Sequence, residues 1–331
     1  MSNNTVNVKV NPTLYPHLLS QNVKVYEFDT TTNTYTFLGV SQVDGEGNCT
    51  FNTLGTGTYF LTTMDAPVWD KSNAKLVYSD TFDYTGLPDS SKWAYDVGNG
   101  VDGWGNHEAE YYEDANPNNV NVNNGVLTLT ALYNATGIND GSKVLNYTST
   151  RMYTKQSWLY GKVEVTAMLP DAVGTWPAIW MMPETSTFGA WPLSGEIDIM
   201  EMENNIQDIV HGSLQSEDNY FKTVPYTNTA TFPLPTTNTQ YHVYGVIWTP
   251  ESITFQVDGI SYFSYARNLA AEYDSNKFPW TIPYYLILNI AIGGSAGGTV
   301  TSSDFPQSMK VKSVNIYDLG FDNCTLNNNY N

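Results

Sequence analysis

The chain has 331 residues, of which 41% are apolar and 14% aromatic, and its 33 acidic against 14 basic residues give a net charge of −19. That balance argues against nucleic acid, anionic membranes and sulfated polymers as partners, since each requires a basic face. Only 14% of residues are charged, against about a quarter in an average domain, so a large core and a neutral substrate are expected.

The amino terminus, "MSNNTVNVKV", has no apolar core of a leader peptide. No apolar run reaches the roughly 18 residues needed to cross a bilayer, so no membrane span is expected. From Val23 the chain reads "VKVYEFDTTTNTYTFLGVSQVDGEGNCTFNTLGTGTYFLTT". Apolar positions alternate and are broken by the turn signals "TTTN", "DGEGN" and "GTG", which is the pattern of a small antiparallel β-sandwich. The order V-x-V-Y, D-x-x-G, L-x-x-G-x-Y-F-L resembles small carboxypeptidase-regulatory or prealbumin-like domains. With the linker "DAPVWDKSNAK" it makes a first domain over residues 1–75. Two cysteines, Cys49 and Cys324, stand far apart in the sequence. They read as either one long-range disulfide or two free thiols, without metal-ligand spacing.

Residues 76–331 are expected to form a second, larger domain. "GVLTLTAL", "GKVEVTAML", "YHVYGVIWT", "SITFQVDG", "YYLILNIAI" and "VKSVNIYDL" have strand length and composition. The Asn-rich "EDANPNNVNVNNG" between strand signals reads as a loop with turns. No long helical period appears, so the strands are expected to stack as two large packed sheets. The fold class is all-β.

"SGEIDIMEMEN" (Ser194 to Asn204) interleaves acids with apolar residues. A regular strand puts Glu196 and Asp198 on one face and sends Glu201 to the other. One extra residue, a β-bulge at or near Ile199–Met200, resets the alternation and brings all three carboxylates, with Glu203 beyond, to one face. Glu196 and Glu201 are then four strand steps apart, about 13 Å at roughly 3.3 Å per residue. If two side chains, each reaching about 4 Å, lean together, their carboxyls end about 5 Å apart, the spacing of a retaining glycosidase rather than an inverting one. Asp198 between them can hydrogen-bond one carboxylate and, by its charge, help keep the other protonated.

"WPLSGEIDIMEMEN" resembles the signature of glycoside hydrolase family 16, in its laminarinase-like branch with the bulged E-x-D-x-x-E. The likeness runs on through "GWGNHEAEYY", "YTSTRMYTKQSWLYGKVEVTAMLP", "GTWPAIWMMP", "YHVYGVIWTPESITFQVDG" and "PYYLILNIAIGG" in the family's order. It implies a concave β-jelly-roll sandwich with a sugar-binding cleft. It also implies Glu196 as nucleophile, Glu201 as general acid/base and Asp198 as their supporting carboxylate. Asn106, Arg151, Trp176, Trp180, Trp191 and His211 match positions lining the cleft. Trp93, Trp158 and Trp248 are expected in the core.

Two departures stand out. Where the family often has a second histidine, this chain has Gln215. Where its outer calcium site often has acids, this chain has Thr81 and Lys312, so no metal or other cofactor is expected. "GGSAG" (Gly293 to Gly297) fits the nucleophile elbow of esterases, but "GTVTSSDFP" is a poor helix and all four histidines precede Ser295. A loop rimming the cleft is expected there.

The reading is a retaining endo-acting glycoside hydrolase on a neutral polysaccharide, β-1,3-glucan or mixed β-1,3/1,4-glucan. Alternatives on the same scaffold are an endo-β-galactosidase or agarase, a transglycosylase, and a non-catalytic β-glucan-binding protein. The enzyme is expected to be monomeric and extracellular, its leader absent from this chain.

Overall fold

The computed structural model of the chain describes residues 4–10, 19–29, 34–53, 58–62, 74–141, 143–203 and 208–321. Cys324 and most of the expected linker lie outside them.

In the first unit, Asn4–Lys9 pairs antiparallel with Asn48–Thr53, and Asn22–Asp29 lies between Thr34–Gln42 and Thr58–Thr62. Along Asn48–Thr53 the residues alternate out and in, the period of two that a half-buried strand requires. Cys49 and Phe51 enter a small core with Val10, Val23, Val25 and Val43. Tyr26 packs against the larger core of the second unit.

The second unit stacks a ten-stranded sheet on a seven-stranded one. The seven-stranded sheet runs, edge to edge, Thr229–Pro233, Ile209–Gln215, Glu196–Glu201, Thr175–Pro183, Tyr284–Ile292, Arg151–Thr154 and Trp93–Asp96, all antiparallel. In the ten-stranded sheet, Gln307–Asp318 pairs with Gly161–Met168, Val126–Asp140 and Lys75–Asp80. The core between the sheets holds Trp93, Trp248, Trp280, Tyr244, Tyr284, Phe232 and Phe255, all fully buried. Trp158 joins them, so the three tryptophans expected inside are there.

Alternation then decides what faces outward. On Tyr284–Ile292, Leu286, Leu288, Ile290 and Ile292 enter the core, while Asn289 and Ala291 face away. On Thr175–Pro183, Ile179 and Met181 point in and Trp176, Ala178, Trp180 and Met182 point out. The outer face of the seven-stranded sheet is therefore built of indoles, amides and acids.

Two segments differ from their sequence reading. The Asn-rich segment contains a strand, Val120–Asn123, folded back onto Val126–Asp140. Val120 and Val122 supply the buried side chains, and Asn124 and Gly125 turn the chain at φ 51° and 75°, the geometry a two-residue hairpin demands. The "GGSAG" segment makes one helical turn, Gly294–Gly297, and Ser295 and Ala296 line the cleft rim.

Candidate active site

The bulge sits at Ile199. In the pairing with Thr175–Pro183, Trp180 opposes Asp198 but Ile179 opposes Met200, and the register slips by one. The partner strand shows the same break between Asp198 and Glu201. Ile199 and Met200 are both buried, so two successive apolar side chains enter the core and Glu201 returns to the face of Glu196 and Asp198. The strand begins where Gly195, at φ 77°, passes against Tyr284 and Trp280; a Cβ there would lie 2.5 Å from the Tyr284 hydroxyl. Ser194 accepts the Tyr284 hydroxyl, and Trp280 Nε1 donates to the Glu196 carbonyl at 2.9 Å. The entry to the acidic strand is thus pinned from beneath.

Over this face lies a cleft of about 750 Å³. Glu196, Asp198 and Glu201 are each held by a neutral donor. Trp191 Nε1 donates to Glu196 Oε2 at 2.7 Å, Gln215 Nε2 to Asp198 Oδ2 at 2.8 Å, and Trp176 Nε1 to Glu201 Oε1 at 2.9 Å. His211 Nε2 lies 3.2 Å from Glu201 Oε2. A carboxylate fixed by one such bond keeps its other lone pairs for substrate.

Burial raises the Glu196 carboxyl to about 7; the hydrogen bond from Asp198 opposes the rise, Glu201 adds to it, and Trp191 and Arg151 oppose it. Asp198 is pushed well above the carboxylate range, by burial first and then by the charges of Glu196 and Glu201. Asp198 and Glu196 are hydrogen-bonded to each other, a contact that favours the charged form of Glu196 and the neutral form of Asp198. For His211, burial works downward, but the hydrogen bond and charge of Glu201 with the charge of Glu203 outweigh it and raise the imidazole.

Beside the cleft, Asp102, Gly103, Trp104, Gly105 and His107 all have φ between 53° and 83°. Such a run is costly for a bulky residue like Trp104. The Arg151 guanidinium lies over the Trp104 ring at 4.2 Å and over Trp180 at 4.8 Å, while its Nε donates to Asp96 Oδ2 at 2.9 Å. Arg151 thus clamps two indoles together. Trp180 Nε1 donates to Asn289 Oδ1 at 2.7 Å, and Asn289 donates to the Tyr112 hydroxyl at 3.1 Å. Asn106 donates to Glu108 at 3.1 Å.

The structure brings together in one cleft all nine residues singled out from the sequence: Glu196, Asp198, Glu201, Asn106, Arg151, Trp176, Trp180, Trp191 and His211. Trp176 and Trp180, four apart on one strand, both face it. Sequence reading missed Trp104, Glu108, Asn289, and the loop residues Phe221, Lys222 and Tyr226. It saw Gln215 only as a departure, whereas Gln215 faces Glu196 across the strands and binds Asp198. Trp104 and Glu108 stood inside the quoted "GWGNHEAEYY" segment, which was the available signal. At the places suggestive of an outer metal, Thr81 donates to Asp83 at 2.6 Å and Lys312 holds its ammonium 4.1 Å over the Tyr241 ring.

The comparisons with known proteins agree with this geometry. The model for Glycosyl hydrolases family 16 matches residues 107–311. A β-glucanase from Rhodothermus marinus is 42% identical over 260 residues, covering 76% of this chain and 86% of its own. A keratan-sulfate endo-1,4-β-galactosidase from Sphingobacterium multivorum is 34% identical over 265 residues, covering 77% of this chain and 58% of its own. The crystal structure of the laminarinase from Rhodothermus marinus superposes with a TM-score of 0.68 at 40% identity, covering 74% of this chain and 97% of that one. The bulged acidic strand, its cleft of indoles and these matches place the chain in family 16 of the glycosyl hydrolases.

Proposed function

We propose that the chain is a retaining endo-β-glucanase that cuts internal linkages of β-1,3-glucan or mixed β-1,3/1,4-glucan. The observation that carries the reading is the slip at Ile199, which sets Glu196, Asp198 and Glu201 on one face of the cleft. A cleft lined by Trp176, Trp180 and Ala291 suits a chain of glucose units, whose apolar faces cover indoles.

In the first step a Glu196 oxygen bonds to the anomeric carbon as the bond to the leaving sugar breaks. The Glu201 proton passes to the leaving oxygen. Asp198 keeps its hydrogen bond to Glu196, which loses charge as the glycosyl-enzyme forms. In the second step water gives a proton to Glu201 and its oxygen to the anomeric carbon, and Glu196 departs as carboxylate. Trp176 and His211 fix the two Glu201 oxygens, so the same carboxyl serves as acid and then as base. No metal enters these steps. We place the enzyme outside the cell as a monomer, because its polymeric substrate does not enter cells and its cleft is complete within one chain.

Product analysis on laminarin, mixed-linkage glucan, agarose, κ-carrageenan and a keratan-type galactoside glycan tests the substrate. Short oligosaccharides released from the two glucans are expected. Cleavage of the galactoside polymers with the glucans left intact would move the chain to the specificity of its galactosidase relative. Binding of glucans with no product from any polymer would make it a recognition protein.

A further inference from the structure

One acid of the cleft has no part in the steps above. After Glu201 the chain alternates normally: Met202 is buried in the core and Glu203 returns to the cleft. His211, directly opposite Glu201 in the strand register, lies between the two acids. Its Nε2 is 3.2 Å from Glu201 Oε2 and 3.9 Å from Glu203 Oε1. The side chains of His211 and Glu201 are mostly buried and that of Glu203 about two-thirds so, its exposure being 34%.

We infer that Glu203 is a positioning residue that pairs with His211 and cancels its charge, so that Glu201 keeps the proton the first step spends. This rests on the role of Glu201 proposed above. An isolated imidazolium at hydrogen-bond distance favours the carboxylate form of its partner, and a carboxylate nearby favours the protonated form. With Glu203 in place the two effects offset each other. Without it, the cation of His211 acts on Glu201 alone.

No other nearby group substitutes for Glu203. Glu196 and Asp198, on the same strand, are hydrogen-bonded to each other. The Tyr226 phenol is held neutral by burial and by Asp198, Glu201 and Glu196. Opposite His211 on its other side stands Thr231, whose hydroxyl is buried without a partner among the described residues. Ser213 and Gln215 on the His211 strand are uncharged. Trp176 donates to the second oxygen of Glu201. Lys222 and Arg151 line other parts of the cleft, the latter engaged by Asp96. The carboxyl of Glu203 is itself raised, by burial first, while the charge of His211 pulls it down.

The test is the pH profile of kcat for full-length E203Q, H211N and the double variant on a β-glucan oligosaccharide, whose leaving group needs a proton. E203Q is expected to lower the alkaline limb by about one pH unit and H211N to raise it, with the double variant returning near the parent. On an aryl glycoside with an activated leaving group the limbs should coincide. Single variants that shift the limb the same way, or not at all, would overturn the inference, because a merely structural loss produces no opposed pair. E203D should restore most of the parent profile. Should E203Q not fold, proton NMR of His211 in the intact chain and in E203A decides: a lower titration in E203A supports the pairing, and an equal one rejects it. If azide fails to speed E201A on the aryl glycoside, the role given to Glu201 falls instead, whatever the Glu203 profiles show.

Discussion

Glu196 and Glu201 have different environments, and substitution should separate them in kind. Glu196→Ala removes the atom that bonds to sugar and is expected to be inert on every substrate. Glu201→Ala should lose about 10²- to 10⁴-fold on glucan, the usual worth of a general acid. It should still cleave an activated aryl glycoside, whose leaving group needs no proton, and azide should speed that turnover and yield a β-glycosyl azide. The identity of the azide product, read by NMR, checks the assignment of the two roles; an α-azide from the Glu201 variant would reverse it.

The raised carboxyl of Glu196 has two consequences at the same scale. Attack requires the carboxylate, so kcat/KM of the free enzyme should fall on the acid side of about 7. The Trp191 indole favours the carboxylate, so Trp191→Phe should move that limb to higher pH. For stability the sign is opposite to that of a salt-bridged acid. A carboxyl raised in the folded state adds full stability below its unfolded value near 4.5, and that contribution is lost as pH rises to about 7. Glu196→Gln should therefore change the melting temperature little near pH 4, yet stabilise by on the order of 1–3 kcal/mol near pH 8. Equal shifts at the two pH values would show that Glu196 is not strained by its charge.

At the scale of the element, the acidic strand works because its start and its bulge are both fixed. Gly195 has φ 77° and no room for a Cβ beside Tyr284, Pro279 and Trp280. Gly195→Ala should cost more than about 2 kcal/mol, from strain and clash together, and lower kcat by displacing Glu196. Thermal melts with kinetics at a permissive temperature would check this, and an unperturbed variant would remove the pinning argument. The bulge was legible from residue types alone, because three acids at i, i+2 and i+5 among isoleucines and methionines fit one buried face only if the strand slips. Most strands were legible for the same reason, alternation with turn residues between.

The misses at this scale share a cause. Val120–Asn123 was hidden in an Asn-rich run, where two valines carry the whole signal. Val126–Asp140 continues through "YNATGIND" by a register shift between Tyr133 and Ile138, with Gly137 at φ 72°; a glycine there reads as a turn. The Arg151 clamp on Trp104 and Trp180 joins residues distant in sequence, which no local pattern reports. The upward push on the Asp198 carboxyl comes first from burial, which sequence does not display.

On the scale of the whole molecule, the two units have separate cores and every proposed catalytic residue belongs to the second. A chain starting near Ala74 is expected to retain turnover on a short soluble oligosaccharide. A loss beyond about tenfold, with the protein still folded, would show that the first unit shapes the cleft. Activity should also persist in a chelator, since the chemistry uses side chains only. Abolition by EDTA with recovery in calcium would mean that the places of Thr81 and Lys312 were misread.

The central claim is that the slip at Ile199 brings Glu196 and Glu201 close enough for direct attack, with no water between carboxylate and sugar. Proton NMR of the first anomer released from a β-linked oligosaccharide by the intact enzyme tests it most directly. The β-anomer is expected first, with the α-anomer appearing only as mutarotation proceeds. An initial α-anomer would contradict the double displacement and the roles given to both acids.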